Sequence, residues 1–268
     1  MNQRHLDEPV CDFVGDWRSQ VVATAIHDGH ELSGPIARAM SLDEDVRLRE
    51  EDPFTARIAR RVPDRVLVHR SRFEVDLNRG RDEAVYRTPD DCWGLEVWRH
   101  TPLAQRLVDG SLAAYDGFYA RLAARLDRVA ARGPFVLYDV HSYNHRRDGV
   151  DRPSAPAEDN PEVNVGTGSL DRDYWSPAVE AFIGSLSSAP TGSGPLDVRE
   201  NVRFTGAHLA RWVHERYPGI GCVLALEFKK TFMDEWSGVP DEGRLDELGA
   251  ALGRTTEPVL DALRQIGE

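Results

Sequence analysis

Cysteine is scarce in this chain, and the three that occur, Cys11, Cys92 and Cys222, are too far apart for a C-x-x-C pair. An odd number without short spacing argues against a disulfide framework and against a thiolate zinc site, so a reducing, cytoplasmic setting is the expectation. No apolar run approaches the ~18 residues that a membrane span needs, and the opening MNQRHLDEPVCDF has no apolar signal core. Neither G-x-G-x-x-G after a strand nor G-x-x-x-x-G-K-[ST] is present, which removes the common nucleotide-binding loops. Net positive charge is missing too. A formal charge of −12, with arginines scattered among acids, repels phosphate backbones and anionic lipid, so neither nucleic acid nor membrane is an expected partner.

What is present is enough apolar material for a sizeable core: 41% of 268 residues, six of them tryptophan, against 29% charged. Short apolar runs rich in β-branched residues fall near 20–26 (QVVATAI), 65–69 (RVLVH), 135–140 (FVLYDV) and 220–226 (IGCVLAL). Helical periodicity separates them. It is clearest between Pro102 and Gly133, where Leu112, Tyr115, Tyr119, Leu122, Leu126 and Val129 step by three and four. Further helices are expected over 204–216 and from 243 to the C-terminus, with Pro258 kinking or dividing the last. This alternation predicts an α/β fold of three layers, a mostly parallel mixed sheet with helices on both faces. The Ser/Gly/Pro-rich stretch 185–197 reads as an exposed loop, because chemistry-bearing residues stand on both sides of it, and 1–268 is expected to be one domain.

Each strand runs into a polar cluster, and the carboxyl ends of parallel strands are where such sheets bind ligands. HDGH follows the first strand, placing His27 and His30 three residues apart with Glu31 or Asp28 beside them. Two imidazoles hold a metal poorly. His141, in YDVHSYN, supplies a third from a neighbouring strand, completing a three-ligand catalytic pattern without thiolates, for Zn2+ or another divalent first-row ion. The bland alternative is that these are hydrogen-bonded strand-end histidines. In SRFEVDLNRGR, Asp76, Asn78 and Arg79 leave the β pattern for a loop, and a guanidinium beside an amide suits capture of a carboxylate, or equally a structural salt-bridge corner. Glu227 ends the apolar run VLAL. A carboxylate there has a raised pKa, as a general base needs, unless it pairs with Lys229 or Lys230. The other histidines, His5, His69, His100, His208 and His214, take the structural reading, with His145 as an outer contact at most.

Taken in order, HDGH, VDLNR, DVHSYN and the late glutamate resemble the zinc carboxypeptidase-like superfamily, most closely its N-formylglutamate amidohydrolase branch, over about residues 20–240, with NVGTG (164–168) and FTGAHLARWVHE (204–215) adding to the likeness. The resemblance implies that fold, with Asn78 and Arg79 gripping the substrate carboxylate, His141 on zinc and Glu227 activating water. That superfamily places Glu three residues after the first His, where this chain has His30 and then Glu31. The second ligand is therefore His30 or Glu31, with Glu51 or Asp52 of REEDPFT also available. Arg72 or Arg70 would stabilise the developing oxyanion, and Asn144 would touch the substrate. The expected activity is zinc-dependent hydrolysis of a small anionic N-acyl amino acid. A zinc carboxypeptidase acting on peptides, or a non-catalytic binding module that has kept the fold, is the competing reading. Nothing in the pattern specifies an oligomeric state.

Overall fold

The computed structural model describes residues 10–266. The first nine residues of the stretch read above as leaderless, His5 with them, and the last two residues of the expected C-terminal helix lie outside that range. Among the described residues seven strands, β1 (Cys11–Val14), β2 (Val21–Ala25), β3 (Asp64–Val68), β4 (Phe135–Tyr143), β5 (Val163–Gly166), β6 (Val198–Glu200) and β7 (Gly221–Lys229), form one sheet in the order β1-β3-β2-β4-β7-β5-β6. The inner four, β3, β2, β4 and β7, run parallel. At one edge β1 is antiparallel to β3; at the other, β5 is antiparallel to β7 and carries β6 parallel to it. The expected mostly parallel, mixed sheet is what forms.

Its central strands read as continuous apolar runs because both faces are covered. Val21, Val136, Tyr138, Leu224 and Leu226 pack on one side against α3 (Thr55–Ala59), α5 (Ser176–Ser187), α7 (Glu242–Arg254) and α8 (Thr256–Ile266). Val22, Val66, Leu137 and Val223 pack on the other, against α4 (Gln105–Ala130) and α6 (His208–Arg216). The stripe of Tyr115, Tyr119, Leu122, Leu126 and Val129 on α4 is buried there, as its spacing predicts. A third apolar cluster, built on Ile36, Phe73, Tyr86, Trp98 and Val108, lies under the 81–104 connection and fastens α1 (Gly34–Ala39) to the start of α4.

Three boundaries differ from the sequence reading. The strands β4 and β7 run on to residues 143 and 229, so His141 and Glu227 lie within the sheet instead of just beyond it. The helix expected from 204 begins at His208, because Gly206 takes a left-handed φ of 103° that a helix cannot hold. The last helix is two. They divide at Thr255, whose Oγ1 donates to the Leu252 carbonyl at 2.7 Å, while Pro258 sits harmlessly in the first turn of α8. All three cysteines are buried and free, and burial pushes the Cys11 thiol up to about 11 and Cys92 up to about 12.

Candidate metal centre and substrate cleft

Parallel pairing sets the first relation in the site: His141 on β4 stands opposite Glu227 on β7 in register. Two residues earlier on β4 is Asp139, so strand alternation puts it on the same side as His141, and its Oδ2 lies 2.9 Å from His141 Nε2. Thr24 of the adjoining β2 donates to Asp139 Oδ1 at 2.8 Å, which fixes that carboxylate. His27 follows β2 after one residue, and its Nε2 meets Asp76 Oδ1 at 2.7 Å. Both imidazoles are buried, 2% and 3% exposed, with rings 4.9 Å apart edge to face.

Between them stands Asp52. Its Oδ2 is 3.0 Å from His141 Nδ1 and 3.4 Å from His27 Nδ1, and its backbone N–H donates to the His27 carbonyl. The turn after it, Pro53-Phe54, holds Phe54 at φ 70°, a conformation a bulky residue adopts only when its surroundings impose it. Burial by itself would push the Asp52 carboxyl up, but the hydrogen bond with His141 and the attraction of both imidazoles outweigh it and hold the group far below the usual carboxylate range. Asp76 behaves alike: burial opposes, while Arg72 and then His27 win. His141 is held well above its ordinary value, since Asp139 and Asp52 overcome the burial that disfavours its charge.

Among the described residues, His27, Asp52 and His141 form a group whose ligand atoms all lie within 4.8 Å of one another. The donor set fits a divalent metal. Two imidazoles and a carboxylate are a familiar catalytic triplet that leaves a coordination position open. Each imidazole turns Nδ1 inward; at the outer nitrogen His27 is hydrogen-bonded to Asp76, the arrangement that fixes tautomer and raises ligand basicity, and His141 has the Asp139 carboxylate alongside. Among the described residues His27 Nδ1 is buried with no hydrogen-bond partner, on the side where an ion would sit.

His30 and Glu31 are not in this group. His30 Nδ1 is 2.5 Å from Glu51 Oε2 and its carbonyl accepts from Arg47, so His30 and Glu51 belong to a separate buried network with Ser71. Glu31 is exposed, and its backbone bridges to His69 and Ser71. The reason lies at Gly29, between the two histidines. Its φ is not left-handed; a Cβ there would lie 2.2 Å from the His69 carbonyl carbon, so glycine serves close passage of two chain segments and the backbone carries His30 away from His27. Of the acids in REEDPFT, Asp52 joins the histidines.

Around this group opens a cleft of about 280 Å³ lined by Arg72, Asn78, Arg79, Asn144 and Glu227 together with Trp93, Phe204, Arg147 and Lys230. Arg72 donates to Asp76 Oδ2 at 2.8 Å, whereas Arg79 Nε is 3.6 Å from the same oxygen and retains more freedom. Asn78 is held through Oδ1, which accepts from the Leu209 N–H at 3.0 Å, and its Nδ2 lies 3.3 Å from His141 Nε2. Asn144 donates to the Arg49 carbonyl at 3.0 Å, leaving its Oδ1 buried and unpartnered among the described residues. Burial, with Asp52 and Asp139 adding repulsion against the pull of His141, pushes Glu227 up to about 8. Arg70, weighed beside Arg72, lines a different cavity. His145 meets Glu235 at 3.4 Å, His208 meets Tyr115 at 2.9 Å and His214 accepts from the Val223 N–H at 2.9 Å, all away from the cleft.

Residues 19–233 match the family model described as N-formylglutamate amidohydrolase. The chain belongs to that family. It is also similar in structure to an N-formylglutamate amidohydrolase from Ralstonia eutropha JMP134, with a TM-score of 0.74 at 14% identity over 96% of this chain and 99% of that one. A gene product of Agrobacterium tumefaciens gives a TM-score of 0.67 at 18% identity, covering 100% and 99%. A carboxypeptidase A from Helicoverpa armigera is a more distant likeness, at 0.47 and 11% identity, covering 93% of this chain and 62% of that one. No curated protein sequence matches. Membership in the amidohydrolase family supports a hydrolase acting on amide bonds of a small substrate, and no described helix is long and apolar enough to cross a membrane.

Proposed function

We propose that the chain is a metal-dependent amidohydrolase that cleaves a small, anionic N-acyl amino acid of the N-formylglutamate type. The observation that carries this reading is the His27–Asp52–His141 group in one cleft with Glu227 and the guanidinium groups of Arg72 and Arg79. Zinc or a similar first-row ion held by those three residues would supply Lewis acidity, polarising the scissile carbonyl and acidifying water.

The protein's own groups divide the remaining work. Arg79, the less tightly tied guanidinium, receives the substrate carboxylate, and Asn78, fixed by the start of α6, adds an amide donor beside it. Arg72, locked by Asp76 and Tyr86, presents fixed positive charge to the oxygen that becomes anionic when water attacks the amide carbon. Glu227 takes the proton of the attacking water and returns it to the departing amine nitrogen, so acid and amine leave with one water consumed. Asn144 Oδ1, unpartnered and in the same cleft, is an acceptor for a substrate N–H.

Metal analysis of the purified protein, followed by turnover of N-formyl-glutamate and a panel of N-acyl amino acids against C-terminal peptides, tests the reading. Metal bound in a one-to-one ratio with hydrolysis of the N-acyl amino acids is the expected result. Metal-free protein that hydrolyses none of them would refute it.

A further inference from the structure

Arg70 presents a physical problem that the catalytic cleft does not solve. Its side chain is only 8% exposed, and its ion pair with Glu74 is long, with Nε 3.9 Å from Oε1. Among the described residues the guanidinium makes no side-chain hydrogen bond, whereas Arg72, two residues on, makes two. A cation so largely withdrawn from water, its nitrogens reaching it through the cavity alone, gains from partners there, and Glu74 gives few. Glu74 Oε2 already accepts from the Ser33 N–H at 2.7 Å. A second unpartnered group is close by. Ser111 on α4 is 2% exposed, and its Oγ has no hydrogen-bond partner among the described residues.

Both side chains line one cavity of about 260 Å³ between α1 and α4, with Arg106 beside them and walls that include Ile36 and Leu107. No residue is shared with the lining of the catalytic cleft. We infer that this cavity is a binding site for a monocarboxylate carrying a short apolar chain. A guanidinium fork matches a carboxylate in bidentate fashion, and the Ser111 hydroxyl is a further donor. Arg70 and Arg106 against Glu74 leave one net positive charge, which favours a monoanion; a phosphate dianion would meet the Glu74 carboxylate with no charge to balance it. The apolar walls take the chain, and each methylene fully buried there strengthens binding about fourfold.

The test is calorimetric titration of the full-length Arg79→Met protein, a background in which the catalytic cleft lacks its proposed carboxylate anchor, with hexanoate, acetate and inorganic phosphate. One hexanoate is expected to bind, at least tenfold tighter than acetate and tighter than phosphate. Adding Ser111→Leu, which fills the cavity and keeps every charge, is expected to abolish it, and adding Arg70→Met to weaken it tenfold or more. The leucine variant keeps the question answerable even where loss of a buried arginine impairs folding. No hexanoate binding in the Arg79→Met protein, undiminished binding after Ser111→Leu, or phosphate binding the tighter, would each overturn the assignment.

Discussion

Replacing Glu227 by glutamine separates chemistry from stability. The side chain keeps its size and one carbonyl oxygen but loses the ability to accept a proton. With its pKa pushed up to about 8, the wild-type carboxyl at pH 7 is ionised in roughly one molecule in ten, so holding the base form costs about 1.4 kcal/mol unless a bound cation offsets it. Glu227→Gln removes that burden, and its melting temperature should equal or exceed the wild type's. Turnover should fall by about 10²–10⁴, equivalent to roughly 2.7–5.4 kcal/mol of transition-state stabilisation, the range for a lost general base. Because a neighbouring dication favours the carboxylate, the acid limb of wild-type kcat/KM should lie at or below pH 8, and the variant should lack it. The assay is steady-state hydrolysis of an N-acyl amino acid beside metal content by atomic absorption. Turnover within tenfold of wild type at full metal occupancy, or a melting temperature several degrees lower with turnover unchanged, would refute the assignment of Glu227 as base.

Other outcomes follow from the same geometry. Asp139→Asn should weaken metal affinity about 10–100-fold by loosening the His141 ring, read by competition with a chelator. His30→Ala should leave metal content unchanged yet lower stability by about 1–3 kcal/mol in urea unfolding, because Glu51 loses a partner inside the protein; loss of metal instead would restore His30 as a ligand. Gly29→Ala, whose new Cβ would collide with the His69 backbone, should cost about 1–3 kcal/mol by the same measurement. Burial pushes Asp28 up to about 6, even against the hydrogen bond from Ala56. A carboxyl raised in the folded state stabilises it while protonated, and that stability is lost as pH rises from about 4 through 6. Asp28→Asn should therefore gain on the wild type across that interval, and equal pH profiles for the two would contradict the shift.

Much of this arrangement could be read from the chain because the central sheet is buried on both faces. Continuous runs such as FVLYDV admit few other interpretations, and the polar residues that interrupt them, His27, His141 and Glu227, stand out by contrast. The edges are not legible: β1, β5 and β6 are three or four residues long, and VRE in β6 has Val198 as its one apolar residue. Asp52 is legible only as one of several available acids, for a different reason. It sits in a run of acids, and what singles it out is a tertiary contact, its N–H on the His27 carbonyl, which no local pattern records. Asp139 did leave a trace, an acid two residues before His141 on one strand, whose common side follows from the pleat. For His30, spacing along the chain is not proximity in space: the passage of Gly29 against residues 69–70 sends its ring to Glu51.

The pairing of His141 with Glu227 on adjacent parallel strands carries a consequence for how such a protein can diversify. Hydrogen bonds on both sides of β4 and β7 leave the distance between His141 and Glu227 almost no freedom to drift. Arg79, Trp93 and Phe204, by contrast, hang from connecting segments outside the sheet. Those segments can be lengthened, shortened or rewritten without disturbing the pair, so under the proposed function relatives built on this frame are free to exchange one small substrate for another while His141 and Glu227 stay where the sheet has put them.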